Sequence, residues 1–419
     1  MVSVRHLPRP AGTARPGAPV RAGWRGRAVT VTAAGLILAA CSTPPPPVSP
    51  PVSPPGTSRT ASTGRAKLIE IGWDTPGAAY VRDNIRTIEA LPFDGIALTP
   101  NQGRTPDIFE DRTWTAEDVQ LDALAAIEWE RFTDNYLSVR AQSPTGAGWF
   151  DDARWARITA NTRQLSAAVA AARARGVVLD PEFYYDDETA NSAWSYNATQ
   201  YPDRAFEAVE AQVRRRGAQF MAALQSDAPD VTVMPMFSLG FVQAQAAENG
   251  GDRASVQYAL VPAFVNGMLD VAGPGVRIVD GNELGYYYRA PQEYARAAVR
   301  TRVDGATLVD PRHRARYERH AVGVAVSPDC VFGQWTGPDF RICEPGTMSP
   351  ADRRRLLQDL VHAALRSADH VVWLYNESFD LLGPNLTGIP IDAPPEGLDR
   401  QAVLDAVTAA RDATRGRTR

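Results

Sequence analysis

The sequence is poor in lysine, histidine and cysteine, and each scarcity narrows what the chain can be. Of its 44 basic residues only Lys67 is a lysine. Arginine supplies the rest, dispersed along the chain, and 48 acidic residues bring the net charge to −4. That balance lacks the basic footprint of a nucleic-acid-binding protein. The histidines are few, and His313, His320, His362 and His370 show no ligand-like spacing, which speaks against a metal centre. No G-x-G-x-x-G and no P-loop follows an apolar run, so nucleotide-binding readings lose their main support. No internal repeat is visible, and no cofactor is called for. Long hydrophobic runs are missing as well. The uncharged stretch Ala28 to Ala40 falls short of the roughly 20 residues that span a membrane.

That stretch suits a secretory signal instead, because Arg21, Arg25 and Arg27 precede it. Its end, "LAAC" (Leu38 to Cys41), resembles a bacterial lipobox. The resemblance implies cleavage before Cys41, lipidation of its thiol and attachment to the extracytoplasmic face of the cell membrane. An ordinary signal peptide with an incidental cysteine is the alternative. Residues 42–64 are proline- and serine-rich, cannot bury a core, and read as a stiff spacer. The expected organisation is therefore a signal peptide over 1–40, a lipidated Cys41 with its linker over 41–65, and one folded domain over 66–419. Two thiols then remain. In an exported chain Cys330 and Cys343 most simply form one disulfide closing "CVFGQWTGPDFRIC". A metal pair is the alternative, and it lacks histidine support.

Within the folded part, apolar runs alternate with helical patterns. "KLIEIGWD" (67–74) reads as a strand, with Thr75 and Pro76 as a helix start and "FDGIALTP" (93–100) as the next strand. Residues 101–155 read as a long insertion, and Gly176 as the stop of the helix after it. Further strands are expected at "VVLDPEFYYDDE" (177–188), "VTVMPMFSLGF" (231–241), "VRIVDGNELGYYY" (276–288), "AVGVAVSP" (321–328) and "HVVWLYNE" (370–377). Helices are expected over about 203–225, near 255–271, and from Ser349-Pro350 to about Arg366. Seven strands are countable, and an eighth is expected between 300 and 340. Strand and helix in alternation predict a parallel sheet, best a (β/α)8 TIM-type barrel and otherwise a doubly wound open sheet.

Acids recur where those runs end. Asp74 closes the first, Glu182 the third, Asp280 and Glu283 the fifth, and Glu377 the last. The carboxyl ends of barrel strands are where active sites are built. Any one of these acids could instead cap the next helix, Asp74 above all. Glycoside hydrolysis needs a protonated carboxyl to donate to the leaving oxygen and an ionised one to attack or to activate water. Glu283 and Glu377, each preceded by an asparagine (Asn282 and Asn376), are the expected pair; simple hydrogen bonding within a polar mouth is the alternative for each. Sugar rings also need flat apolar faces. Trp73, Tyr184, Tyr185, Trp194, Tyr286, Tyr287, Tyr288, Trp335, Trp373 and Tyr375 fall on or near strand ends. Trp373, inside a strand, reads as packing, and the three consecutive tyrosines cannot all face one way.

The stretches "GWDTPGAAYVRDNIRTIEALPFDGIAL", "DGNELGYYY" and "VVWLYNES" look like those of bacterial barrel proteins that resemble glycoside hydrolases, broadly of clan A. The resemblance runs in order over most of 67–380 and implies a barrel acting on an extracellular or cell-wall glycan. From their places at or near strand ends, Trp73, Asp74, Glu182, Tyr184, Asp280, Asn282, Tyr286, Tyr375 and Asn376 are the expected substrate contacts. Clan A places Asn-Glu after its fourth strand, whereas Asn282-Glu283 follows the fifth strand of this count. The rival expectations are a catalytically inactive barrel that binds glycan or a protein, and a solute-binding lipoprotein. The latter would need two lobes, and the single run of strand-helix units gives no sign of them.

Overall fold

The computed structural model describes residues 66–416, except 102–104, 144, 185–191, 198 and 384–392. The expected signal peptide, Cys41, the linker and Tyr185 lie outside the described residues.

Eight parallel strands form one sheet: β1 (Lys67–Gly72), β2 (Gly95–Leu98), β3 (Tyr136–Arg140), β4 (Gly176–Asp180), β5 (Thr232–Pro235), β6 (Arg277–Ile278), β7 (Gly323–Val326) and β8 (Val371–Asn376). Their order is β6-β5-β4-β3-β2-β1-β8-β7. The two end strands also meet. Asp280 N–H donates to the Ala321 carbonyl at 2.8 Å, and Gly323 N–H donates to the Asp280 carbonyl at 2.9 Å. The sheet thus closes on itself as a (β/α)8 barrel. Its strands are short and buried along nearly their whole length, as expected when helices cover the outside and side chains fill the inside.

The eighth strand is β3, not a segment between 300 and 340. It lies inside the expected insertion 101–155, where Tyr136, Leu137 and Val139 are interrupted by Ser138 and followed by Arg140, so no continuous apolar run marks it. Pairing with both β2 and β4 supplies the order that its own composition does not. Between 300 and 340 the chain instead makes short turns and helices around β7. The strand count shifts accordingly: Glu182 follows β4, Glu283 follows β6 and Glu377 follows β8.

Smaller expectations change for local reasons. The first helix starts at Ala78 after Gly77, while the Thr75 hydroxyl turns back to donate to the Gly72 carbonyl at 2.5 Å. Gly176 opens β4 rather than closing a helix, which ends at Ala171. A Cβ on Gly176 would fall 1.9 Å from the Thr232 carbonyl oxygen, so the glycine permits the β4–β5 approach. β5 stops at Pro235, and the last three residues of the expected 231–241 strand instead open the helix Leu239–Glu248. The helix Pro350–Ser367 is capped as expected, with Ser349 Oγ accepting from Asp352 N–H at 3.2 Å. Among the described residues, no helix is long and apolar enough to cross a membrane.

Candidate active site

The carboxyl ends of β4 and β6 bring three carboxyls together. β4 ends on Asp180, whose Oδ1 accepts from Glu182 N–H at 2.9 Å and whose Oδ2 accepts from the Tyr184 hydroxyl at 2.9 Å. Tyr184 is fixed in turn by its own N–H, which donates to Gln142 Oε1 at 3.0 Å. Burial and the neighbouring Glu182 push Asp180 up to about 6. Beyond β6, Asn282 takes a left-handed conformation (φ 44°), and the chain enters a short 3-10 turn with Glu283 as its first residue. Glu283 N–H donates to the Met236 carbonyl at 3.0 Å. Its side chain is buried, and its carboxyl sits well above the usual range. Desolvation is the main cause, followed by the charges of Glu182 and Asp180, while the nearby Tyr286 hydroxyl acts the other way. Burial and the two neighbouring acids therefore favour the protonated form of Glu283.

β8 delivers the other half. Its last residues, Tyr375 and Asn376, lead into the half-buried Glu377. Glu377 Oε1 accepts from the Tyr375 hydroxyl at 2.8 Å and Oε2 from Trp335 Nε1–H at 3.1 Å. Tyr375 itself accepts from Trp73 Nε1–H at 2.9 Å. Glu377 N–H donates to Asp329 Oδ2 at 3.0 Å, so a buried acid at the end of β7 braces the backbone on which Glu377 stands. The two halves join through aromatic rings. Tyr286 stacks on Tyr375 at 4.7 Å between centroids and lies 5.2 Å from Trp373 and 5.7 Å from Trp335. Glu283 and Glu377 thus border one aromatic bed, Glu283 through Tyr286 and Glu377 through Tyr375.

The remaining expected residues divide by what holds them. Asp74 does not cap the first helix. Its Oδ2 accepts from Leu382 N–H at 2.7 Å, and its Oδ1 accepts from Asn376 Nδ2–H at 3.3 Å. Asn376 donates also to Glu70, a fully buried acid in the middle of β1. Burial, then Asp74, raises Glu70 well above its usual range, and burial carries Asp74 to about 6. The close approach leaves no room at Gly72, where a Cβ would meet the Asn376 carbonyl oxygen at 2.4 Å and Asp74 Oδ1 at 2.7 Å. Asp280 accepts from Gly240 N–H (3.0 Å) and Asn282 N–H (3.1 Å), which ties β6 to the helix after β5. Asn282 turns to the Tyr288 hydroxyl at 3.3 Å. Trp194 packs among Phe109, Trp149 and Phe264 in the core, away from the Tyr286–Tyr375 bed. Trp373 is fully buried, as its place inside a strand implied.

Several contributors carried a weaker sequence signal. Asp180 is the last residue of its strand, hidden beside the more conspicuous Glu182. Glu70 is a lone acid inside "KLIEIG", which a buried strand tolerates only with a partner. Trp335 and Asp329 come from a disulfide-closed loop and a helix start. Cys330 and Cys343 are bonded, with Cα atoms 4.6 Å apart. Among the described residues, no group of three or more His, Cys, Asp or Glu could hold a metal ion.

No protein-family model matches the chain, and no curated protein matches it. Solved structures similar to it include an exo-β-1,4-mannosidase from Opitutaceae bacterium strain TAV5, at 13% identity over 86% of this chain and 63% of that one, TM-score 0.45. A glucosidase from Croceicoccus marinus is 8% identical over 84% and 69%, TM-score 0.42. A D-psicose 3-epimerase is 13% identical over 84% and 98%, TM-score 0.41. Likenesses this distant carry no argument about chemistry, and the barrel rests on its own strand pairing.

Proposed function

We propose that the chain is a glycoside hydrolase acting on an extracellular or cell-wall glycan. One observation carries the reading: two carboxyls with unlike environments border one aromatic bed. Glu283 is buried beside Glu182 and Asp180, which favours its protonated form. Glu377 faces two donors, the arrangement that suits an anion. In this reading Glu283 donates its proton to the glycosidic oxygen as the C–O bond breaks. Glu377 attacks the anomeric carbon or takes a proton from the water that does. Water supplies the hydroxyl of one product and, by way of the carboxyls, the proton of the other. Glu182 and Asp180 serve to favour the protonated form of Glu283, and Tyr286 and Tyr375, buried and stacked on each other, form the apolar bed that holds the two carboxyl-bearing segments together. The inactive glycan-binding barrel is the second reading. It is favoured by the 9% exposure of Glu283, which leaves little of that residue open to a substrate.

Release of reducing sugar from a panel of cell-wall and storage glycans decides between them. Glu283→Gln and Glu377→Gln should each fold and lose turnover by about 10³-fold or more. Glycan binding without any turnover by the unaltered protein would leave the inactive barrel. We also propose that Cys41 is the lipid anchor, from the lipobox-like "LAAC". Cys41→Ala should move the protein out of the membrane fraction or block its maturation, and unchanged membrane retention with unchanged mass would remove the anchor.

A further inference from the structure

The amino mouth of the barrel gathers basic side chains that the proposed reaction does not use. Arg175 immediately precedes β4, Arg277 opens β6, and His320 and His370 stand just ahead of β7 and β8. Strand register brings them level. Gly176 pairs with Thr232 and Thr232 with Arg277, while Thr232 N–H donates to the Arg175 carbonyl at 3.1 Å. On the other side, His320 Nδ1 lies 2.6 Å from His370 Nε2, with ring centroids 4.8 Å apart. That contact takes one nitrogen from each ring and leaves His320 Nε2 and His370 Nδ1 without a partner among the described residues.

The cluster is short of negative charge. Among the described residues, neither the Arg175 nor the Arg277 guanidinium forms a hydrogen bond or an ion pair. Asp134 is spent on Lys67 at 3.5 Å. Asp134 and Asp230 reach Arg277 only as more distant charges, while burial and then Arg175 push Arg277 down. Burial, His320, Arg277 and Arg175 together hold His370 at about 4, so the four groups lie within electrostatic reach of one another. Half-buried cations without counter-charge are costly unless a ligand compensates them. A cation would add to the repulsion. An anion with several acceptor oxygens suits two planar guanidinium forks and the one imidazole N–H that the neutral histidine pair leaves free.

We propose that the amino mouth is a binding site for a phosphate-type oxyanion, held between Arg175, Arg277 and the His320–His370 pair. The oxyanion is either a free phosphate or the phosphate of a lipid headgroup; the chemistry of recognition is the same.

The full chain carrying Cys41→Ala, so that no lipid anchor contributes, is titrated calorimetrically with inorganic phosphate, ionic strength being held constant with potassium chloride. It is also sedimented with vesicles of phosphatidylcholine alone or with added phosphatidylglycerol. Saturable phosphate binding that chloride does not reproduce assigns the site to a free phosphate. Sedimentation with phosphatidylglycerol vesicles only, without phosphate binding, assigns it to a lipid phosphate. In either case Arg175→Gln and Arg277→Gln should each weaken binding at least tenfold. Arg277→Lys, which keeps the charge and loses the fork, should fall between. Melting curves of each variant separate lost binding from lost fold. Binding in neither arm, or equal binding by folded Arg175→Gln and Arg277→Gln proteins, overturns the proposal.

Discussion

At the carboxyl mouth of the barrel Asp74, Asp180 and Glu283, with Glu70 beneath them inside β1, are buried acids whose pKa values burial raises. At the amino mouth Arg277 and His370 are bases pushed down by burial and by neighbouring bases, Arg277 by Arg175 and His370 by His320, Arg277 and Arg175. The same eight strands therefore separate two concentrations of like charge by little more than a strand's length. The difference lies in what surrounds each. Acids at the carboxyl mouth are embedded in donors: Asn376 between Glu70 and Asp74, backbone N–H groups on Asp280, Tyr375 and Trp335 on Glu377. Among the described residues, the Arg175 and Arg277 guanidinium groups have no such partners. One end surrounds its carboxyls with internal donors, and the other leaves its guanidinium groups without internal acceptors among the described residues.

The largest effect that tests this contrast is on turnover. Glu377→Gln should remove activity by about 10³-fold or more, while Arg277→Gln, at the other end of the strands, should leave it within about twofold. Measured kcat for both on one substrate checks it. Equal losses would mean that the two mouths are coupled and the division of labour is wrong.

A second, smaller effect concerns how the carboxyl mouth is held. The bond between Cys330 and Cys343, 13 residues apart, closes the loop that carries Trp335 onto Glu377. Replacing both cysteines by serine should cost about 3 kcal/mol of stability, the loop-closure value for a ring of this size. It should also reduce turnover, because Trp335 loses its tether. Urea unfolding paired with kcat measures both. Lost stability with full turnover would show that Trp335 holds its place without the disulfide.

How much of this was legible in the sequence depends on whether a signal is local. β8 announces itself as an apolar run, and the helix from Pro350 by its serine cap. β3 does not, because Ser138 and Arg140 break its pattern and only its neighbours give it a strand's geometry. The acids at strand ends were visible as a set. Which of them meet was not, since Glu283 lies beside Glu182 only once β4 and β6 are in one barrel and the strand count is right. His320 and His370 are 50 residues apart in sequence and show no ligand-like spacing. Two neighbouring strands put their rings in contact, so a pairing of this kind is written in topology and not in spacing.

The smallest effect is the most discriminating, because the two mouths should respond to pH with opposite sign. Asp74 has its folded pKa raised from 3.8 to about 6. Between those values the folded state keeps a proton that the unfolded chain gives up. Its contribution to stability is therefore complete below about pH 4 and is lost as pH rises towards 6. His370 has its folded pKa lowered from 6.5 to about 4. Over the same window the unfolded chain holds the proton and the folded one does not, so this contribution grows as pH rises. The two slopes partly cancel in the unaltered protein. Asp74→Asn, whose amide oxygen can still accept from Leu382 N–H, should remove a falling component of at most about 3 kcal/mol across the window. His370→Gln should remove a rising one. Glu70, Asp107, Asp180, Asp280 and Asp329, all raised by burial, continue to pull stability downward with pH in both variants. Urea unfolding at half-unit steps from pH 4 to pH 7 should therefore give a flatter profile for Asp74→Asn and a steeper decline for His370→Gln. Parallel profiles for the two variants would mean that burial does not set the charge of both ends in opposite directions, and the contrast between the mouths would fail at its physical root.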